Sequence, residues 1–214
     1  MARKKSSRAW VQQHLHDPYV RRAQQQGYRA RAAFKLSEVL DAWRLLSRGD
    51  VVVDLGAAPG SWSQVVRERL LDARGNLQGR IIALDRLPMT PIDGVEFIQG
   101  DFREQDVLEQ LESALDGRRV DLVISDMAPN LSGVKAADAA AIQHVHELVL
   151  AFALDHLRDG GALVLKAFHG SGFSQTVEQL RRHFRRVHVL KPDASRDKSA
   201  ETYLIARDLQ RRQP

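Results

Sequence analysis

Val51-Val52-Val53-Asp54-Leu55-Gly56-Ala57-Ala58-Pro59-Gly60 is the stretch that decides the fold. A β-branched apolar run closes on an acid, passes through a loop holding two glycines and a proline, and leads into a helical pattern that starts near Trp62. Such a strand-loop-helix turn cradles a nucleotide-like cofactor. Gly56 and Gly60 allow backbone shapes and close approaches closed to other residues, and Pro59 stiffens the turn. The pattern is not G-x-G-x-x-G, so the pyrophosphate-binding fingerprint is only half present and a dinucleotide is the weaker reading.

Outward from this loop, runs rich in Val, Ile and Leu recur at Val51–Asp54, Arg80–Asp85, Val95–Gln99, Val120–Ser125, Ala162–Lys166, Val187–Leu190 and Thr202–Ala206. Segments of helical period lie at Ala32–Trp43, Trp62–Leu71, Glu104–Leu115, Ala137–Leu157 and Ser174–Phe184. The alternation predicts a seven-stranded, mostly parallel sheet with helices on both faces, an α/β doubly wound fold of Rossmann-like type. Gly160-Gly161 reads as the stop and turn that ends the long fourth helix, Ala137–Leu157. The last two strands follow each other without room for a full helix, so an antiparallel pair at one edge is expected.

Ligands of such sheets bind outside the carboxyl ends of the strands. Asp54, Asp85, Asp126 and Lys166 fall at or just beyond those ends, and Asp101 lies in the loop after another. One acid after a strand is ordinarily a turn former; five polar residues converging on one edge read as a site. Asp85 is placed to accept hydrogen bonds from ribose hydroxyls. Asp101 is placed either to accept from an adenine amino group, with Phe102 alongside the ring, or to cap the helix beginning near Arg103. Trp62 reads either as core or as part of the cofactor pocket.

The chain has no cysteine, which removes disulfides, thiolate metal sites and cysteine nucleophiles together. With no long apolar run and no secretory signal pattern, the expected location is the cytoplasm, away from membranes. Residues 1–35 hold nine Lys or Arg against one acid, Asp17, an excess larger than the +5 of the whole chain. That excess reads as an RNA-binding arm, in which Trp10, Tyr19, Tyr28 and Phe34 supply stacking or packing surfaces. A second basic cluster comprises Arg181, Arg182, Arg185, Arg186 and Lys191. The expected organisation is a basic, partly flexible arm over 1–28, one catalytic domain over 29–208 and a tail over 209–214, in a monomer.

The loop Asp54-Leu-Gly-Ala-Ala-Pro-Gly-Ser-Trp62, the strand end Asp121-Leu-Val-Ile-Ser-Asp126-Met-Ala-Pro-Asn130 with Ser132-Gly133, the segment Arg29-Ala-Arg31-Ala-Ala-Phe34-Lys35-Leu36 and the late Lys191-Pro-Asp-Ala-Ser-Arg196 together resemble the FtsJ/RrmJ family. The resemblance covers about Tyr19 to Ala206. It implies a class I methyltransferase that uses S-adenosyl-L-methionine on ribose 2′ oxygens. In the bacterial branch the substrate is a uridine in the A-loop of 23S rRNA within the large ribosomal subunit. The family's Lys-Asp-Lys-Glu tetrad falls on Lys35, Asp126, Lys166 and Glu201. The implied cofactor residues are Asp54, Gly56, Ala57, Pro59, Gly60, Trp62, Asp85, Asp101, Phe102 and Asp126.

Read singly, Lys166 is a strand-end lysine, Lys35 a solvent-facing helix residue and Glu201 an edge-strand acid; the tetrad gives them roles. Lys166 stands nearest the target hydroxyl, Asp126 orients it, and Glu201 holds Lys35 or the ribose. In one version Lys35 repels Lys166 into a neutral amine that takes the proton. In a milder one both lysines stay charged and stabilise the developing anion. His144 and His146, two apart on a helix, face different ways and form no zinc pair. His169 and metal ions are given no role. A dehydrogenase on the same fold is disfavoured by the broken glycine fingerprint and the basic surfaces, and an RNA-binding module without turnover by the intact tetrad.

Overall fold

A computed structural model describes residues 17–130, 132–170, 172–195 and 199–211. Residues 1–16 of the basic arm, with Trp10, lie outside them, as do Arg196 of the late motif and residues 212–214 of the tail. The elements run α1 (Pro18–Gln25), α2 (Ala32–Trp43), β1 (Val51–Leu55), α3 (Ser61–Leu70), β2 (Arg80–Asp85), β3 (Val95–Gln99), α4 (Gln105–Leu115), β4 (Val120–Ser125), α5 (Lys135–His156), β5 (Leu157–Phe168), α6 (Phe173–His183), β6 (Phe184–Leu190) and β7 (Glu201–Leu209).

One seven-stranded sheet has the order β3-β2-β1-β4-β5-β7-β6. The first five strands in this order are parallel. β7 runs antiparallel to both its neighbours, so the late antiparallel pair forms at the edge as expected, with β7 inserted between β5 and β6. Alternation along β1 divides the core. Val51, Val53 and Leu55 join α4, α5 and α6 on one face, while Val52 joins α2 and α3 on the other. Both faces are therefore covered, which is why the central strands read as unbroken apolar runs.

Two expectations are corrected. Gly160-Gly161 do not end a helix: α5 stops at His156, where Leu157 is already extended, and the glycine pair lies inside β5. There the pairing jumps from Val120↔Leu157 to Leu122↔Ala162, and the extra β5 residues are taken up around Gly160, at φ +75°. A Cβ on Gly161 would lie 2.9 Å from the Arg158 carbonyl oxygen.

The second correction concerns the arm, whose residues 18–25 form α1. Asp17 accepts the Tyr19 N–H at 3.0 Å and Pro18 opens the first turn, a start signal that the Gln-rich stretch after it obscured. Val20 and Ala23 are buried, and Tyr19, Tyr28 and Phe34 pack on one another, so these aromatics are packing surfaces. Arg31 ties the assembly together, pairing with Asp17 and donating to the Ala194 carbonyl beyond β6.

Candidate active site

A cavity of about 590 Å³ opens beyond the carboxyl ends of β1 to β4. Its walls are Gly56 and Ala58 of the glycine loop, Leu84–Leu87 after β2, Gly100–Arg103 after β3, Asp126–Asn130 after β4, and the flank of α5 at His144 and Leu148. The loops are tied to each other by backbone donors. Asp85 accepts the Ala58 N–H at 2.9 Å on one oxygen and the Leu87 N–H at 2.8 Å on the other, and Gly56 donates to the Leu84 carbonyl at 2.8 Å.

Glycine is required twice here. Gly56 has φ +81°, and a Cβ on it would sit 2.6 Å from Met127 Cγ. Gly60 has φ +106°, and its Cβ would sit 2.7 Å from both Arg29 Nη1 and Met89 Sδ. The Arg29 guanidinium explains the crowding, since it donates to the carbonyls of Pro59 at 2.9 Å, Thr90 at 2.6 Å and Pro91 at 3.0 Å. It fastens the glycine loop to the segment after β2.

Of the expected cofactor residues, Gly56, Asp85, Asp101, Phe102 and Asp126 line the cavity. Ala57, Pro59 and Gly60 shape the loop without lining it. Asp101 does not cap α4, whose cap position is Glu104. It turns back on Arg103, accepting the backbone N–H at 3.0 Å and the guanidinium at 2.9 and 2.5 Å, and these bonds hold its carboxyl down at about 2. Asp54 is fully buried behind the cavity, where Oδ2 accepts from Ser63 Oγ at 2.7 Å and Oδ1 has no partner. Burial pushes this carboxyl up to about 7, the negative fields of Asp126 and Asp85 adding to it and the Ser63 hydrogen bonds opposing.

Trp62 is corrected from cofactor residue to core. It is buried with α2 and α3, donates to the Ala32 carbonyl at 2.9 Å and lies 5.6 Å from the Tyr203 ring. Its position on the inner face of α3, one residue past the loop, fixes that role.

The tetrad residues come from four elements and meet at one point. Lys35, in the first turn of α2, donates to Glu201 Oε1. Lys166 Nζ lies 3.1 Å from Asp126 Oδ1 and also donates to the Asp126 carbonyl. Asp126 thus meets Lys166, and of the two partners expected for Glu201, Lys35 or the ribose, Lys35 is the one it meets here. Tyr203 joins the two pairs, its hydroxyl 3.0 Å from Glu201 Oε1 and 3.2 Å from Asp126 Oδ1. Cross-strand pairing sets this up: Lys166 is opposite Tyr203 and Phe168 opposite Glu201.

Burial raises the Asp126 carboxyl against the lowering fields of Lys166 and Lys35. At Glu201 burial acts in the same direction but is outweighed by Lys35 and Tyr203, leaving it below the usual range. Burial, with both carboxylates adding, drives the Tyr203 phenol far up, so it is a neutral donor. Sequence reasoning missed Tyr203, although the two-residue period of a strand places it on the same side as Glu201. It also missed the cavity roles of Ala58, the Met127–Asn130 loop and His144. His169 continues the β5–β7 pairing, donating its backbone N–H to the Ala200 carbonyl at 2.9 Å, and its ring lies 4.5 Å from that of Phe173. Among the described residues no group of His, Asp and Glu side chains could hold a metal ion, and no helix is long and apolar enough to cross a membrane.

The model of the FtsJ-like methyltransferase family matches residues 28–209. A protein from Bordetella pertussis described as ribosomal RNA large subunit methyltransferase E is 68% identical over 209 residues, which cover 98% of this chain and 100% of that protein. One of the same description from Burkholderia thailandensis is 56% identical over 98% of each chain. The crystal structure of a protein described as a ribosomal RNA methyltransferase from Plasmodium falciparum matches with a TM-score of 0.75 at 30% identity, covering 85% of this chain and 98% of that one. A match over residues 28–209, a span that holds the whole sheet, the glycine loop and the ion-paired lysines, leaves one conclusion: the chain belongs to the FtsJ-like methyltransferase family.

Proposed function

We propose that this methyltransferase transfers a methyl group from S-adenosyl-L-methionine to the ribose 2′ oxygen of a uridine in the A-loop of 23S rRNA, within the large ribosomal subunit in the cytoplasm. The observation that carries the reading is the Lys35-Glu201-Tyr203-Asp126-Lys166 chain beside a cavity of nucleoside size. The names of the relatives, which concern ribosomal RNA of the large subunit, support the substrate class.

The residues present fit the cofactor. Asp85 would hold the ribose hydroxyls, and Asp101 with Phe102 the adenine. Asp126 supplies negative charge toward a sulfonium, and Asp54, buried behind the cavity, keeps an unpartnered Oδ1. When bound, S-adenosylmethionine supplies an electrophilic methyl on a sulfonium that departs as a neutral thioether.

The chain's own residues then position the ribose. An ammonium has three donors. Lys166 uses one on the Asp126 carboxylate and one on the Asp126 carbonyl, leaving one for the 2′ oxygen. The paired geometry favours the charged version of the mechanism, in which Lys166 orients the hydroxyl and stabilises the negative charge that develops as the oxygen attacks, its proton passing to water. Lys35 is paired with Glu201, so the second lysine bounds the site without adding a net charge that would repel the sulfonium.

The test is transfer of labelled methyl to large subunits lacking the modification, beside naked 23S rRNA, with nucleoside analysis. Label is expected as 2′-O-methyluridine, and Lys166→Ala should lower turnover by at least about a hundredfold with cofactor affinity held within severalfold. A fully active Lys166→Ala protein, or label on a base, would refute the reading.

A further inference from the structure

His146 is an imidazole at a position of α5 that otherwise faces the apolar core. It is 4% exposed and shares its face with Val149, Leu150 and Ala153. A buried polar ring needs partners for both nitrogens, and it has them on two other elements. Nε2 lies 3.0 Å from the carbonyl oxygen of Lys166 on β5, and Nδ1 lies 3.1 Å from Thr176 Oγ1 on α6. Thr176 is itself 2% exposed, with its hydroxyl also 3.2 Å from Gln143 Oε1 and 3.2 Å from the Gly172 carbonyl.

The carbonyl settles the tautomer, because it can only accept. Nε2 must carry the hydrogen in the neutral ring, and Nδ1 is then an acceptor that shares the Thr176 hydroxyl hydrogen with Gln143 Oε1 and the Gly172 carbonyl. The charged groups acting on the ring are Glu147 of its own helix and Lys166 of β5, with opposite signs, while α6 offers the uncharged Thr176. Burial outweighs them and holds the imidazole below the usual histidine range, which keeps it neutral.

The location of the contact gives it a consequence. β4 ends at Ser125, opposite Leu165 in the parallel ladder, so Lys166 is one residue past the last β4 pairing. Its main chain is held there from α5 by His146 while its Nζ is held by Asp126.

We propose that His146 is a positioning residue for Lys166: its Nε2–H fixes the Lys166 peptide where β5 runs past the end of β4 and is paired with β7 alone, and so fixes the ammonium at the site of methyl transfer. The proposal rests on the role given to Lys166 above. It also assigns a purpose to a buried polar group that a hydrophobic side chain could replace if packing were its only task. His146 touches neither cofactor nor substrate; it acts through Lys166.

The test compares three substitutions in single turnover with saturating cofactor and large subunits. The Gln side chain can present a donor where Nε2 stands, the Asn side chain reaches only as far as Nδ1, and Leu presents no donor. His146→Gln should stay within about threefold of the parent rate constant, while His146→Asn and His146→Leu should fall by about tenfold or more, the scale of one lost hydrogen bond that orders a reacting group. Cofactor affinity and KM for subunits should stay within about threefold in all three, because the cavity walls are untouched. Equal rate constants in the three variants, or a loss confined to cofactor affinity, would overturn the proposal.

Should His146→Leu fail to fold, the Gln and Asn pair decides. Nitrogen NMR of the unmodified protein is independent of any variant: the His146 signal should report the Nε2–H tautomer, and an Nδ1–H tautomer would overturn the assignment. Full activity of Lys166→Ala would refute the proposed function itself, a result distinct from any of these.

Discussion

Asp54→Asn should flatten the dependence of stability on pH. In the fold the carboxyl is fully buried, with Ser63 as its one hydrogen-bond donor and Oδ1 without a partner, and its pKa rises from 3.8 to about 7. Between these two values the folded state holds a proton that the unfolded state has released. Stability therefore falls as pH rises through this window and levels off above about 7. The full shift corresponds to about 4 kcal/mol. The unfolded carboxyl is already ionised at pH 5 and the folded one is mostly ionised by pH 8, so about 2.5 kcal/mol of it is expressed between those two pH values.

An asparagine keeps the shape and an acceptor for Ser63 but does not titrate. Any cost of its amide is the same at every pH and drops out of the comparison, as do the other titrating groups common to both proteins. Urea unfolding at pH 5, 6, 7 and 8 without cofactor should show the parent losing about 2.5 kcal/mol more than Asp54→Asn, or about 5–10 °C in Tm for a chain of this length. Parallel profiles would refute the reasoning, since they would mean that Asp54 is ionised in the fold at pH 5.

Tyr203→Phe removes the hydroxyl that joins the two ion pairs but keeps the ring against Trp62; turnover should fall by about tenfold with Tm lowered only slightly, measured by single-turnover methylation and calorimetry. Arg29→Ala releases three carbonyls that fasten the glycine loop to the segment after β2. Titration calorimetry should then show S-adenosylmethionine binding weakened by about tenfold, with kcat at saturating cofactor changed much less.

The parallel core was legible because β1, β2 and β4, buried along most of their length, leave a strong signal in sequence: with the part-exposed edge strand β3 they make four of the seven expected strands that match the observed bounds to within a residue, and the glycine loop marks the first turn. Strand β5 was underestimated because its first residues, Leu157–Gly161, precede its apolar run and carry a glycine pair that ordinarily signals a turn. Helix α1 was hidden for the opposite reason. Its sequence is polar, and it is held by one cap, two small buried side chains and the aromatic cluster of Tyr19, Tyr28 and Phe34 rather than by a long apolar stripe.

The candidate site divides along the same line. Lys35, Asp126, Lys166 and Glu201 could be found by motif, since each occupies a recognisable position at an element end. Arg29 and His146 could not, because their meaning comes from contacts between loops and layers that no spacing encodes; for Tyr203 the strand period gives the side it shares with Glu201 but not the bridge to Asp126. Lys35 and Glu201 are 166 positions apart and become partners only when β7 inserts antiparallel beside β5. That insertion sets Tyr203 opposite Lys166. A parallel strand in the same place would point its amino end away from the carboxyl edge, taking Glu201 to the far side of the sheet. The reversed strand is thus the topological condition for the tetrad: it lets residues at the start of one strand and the end of its neighbour share a single charge network.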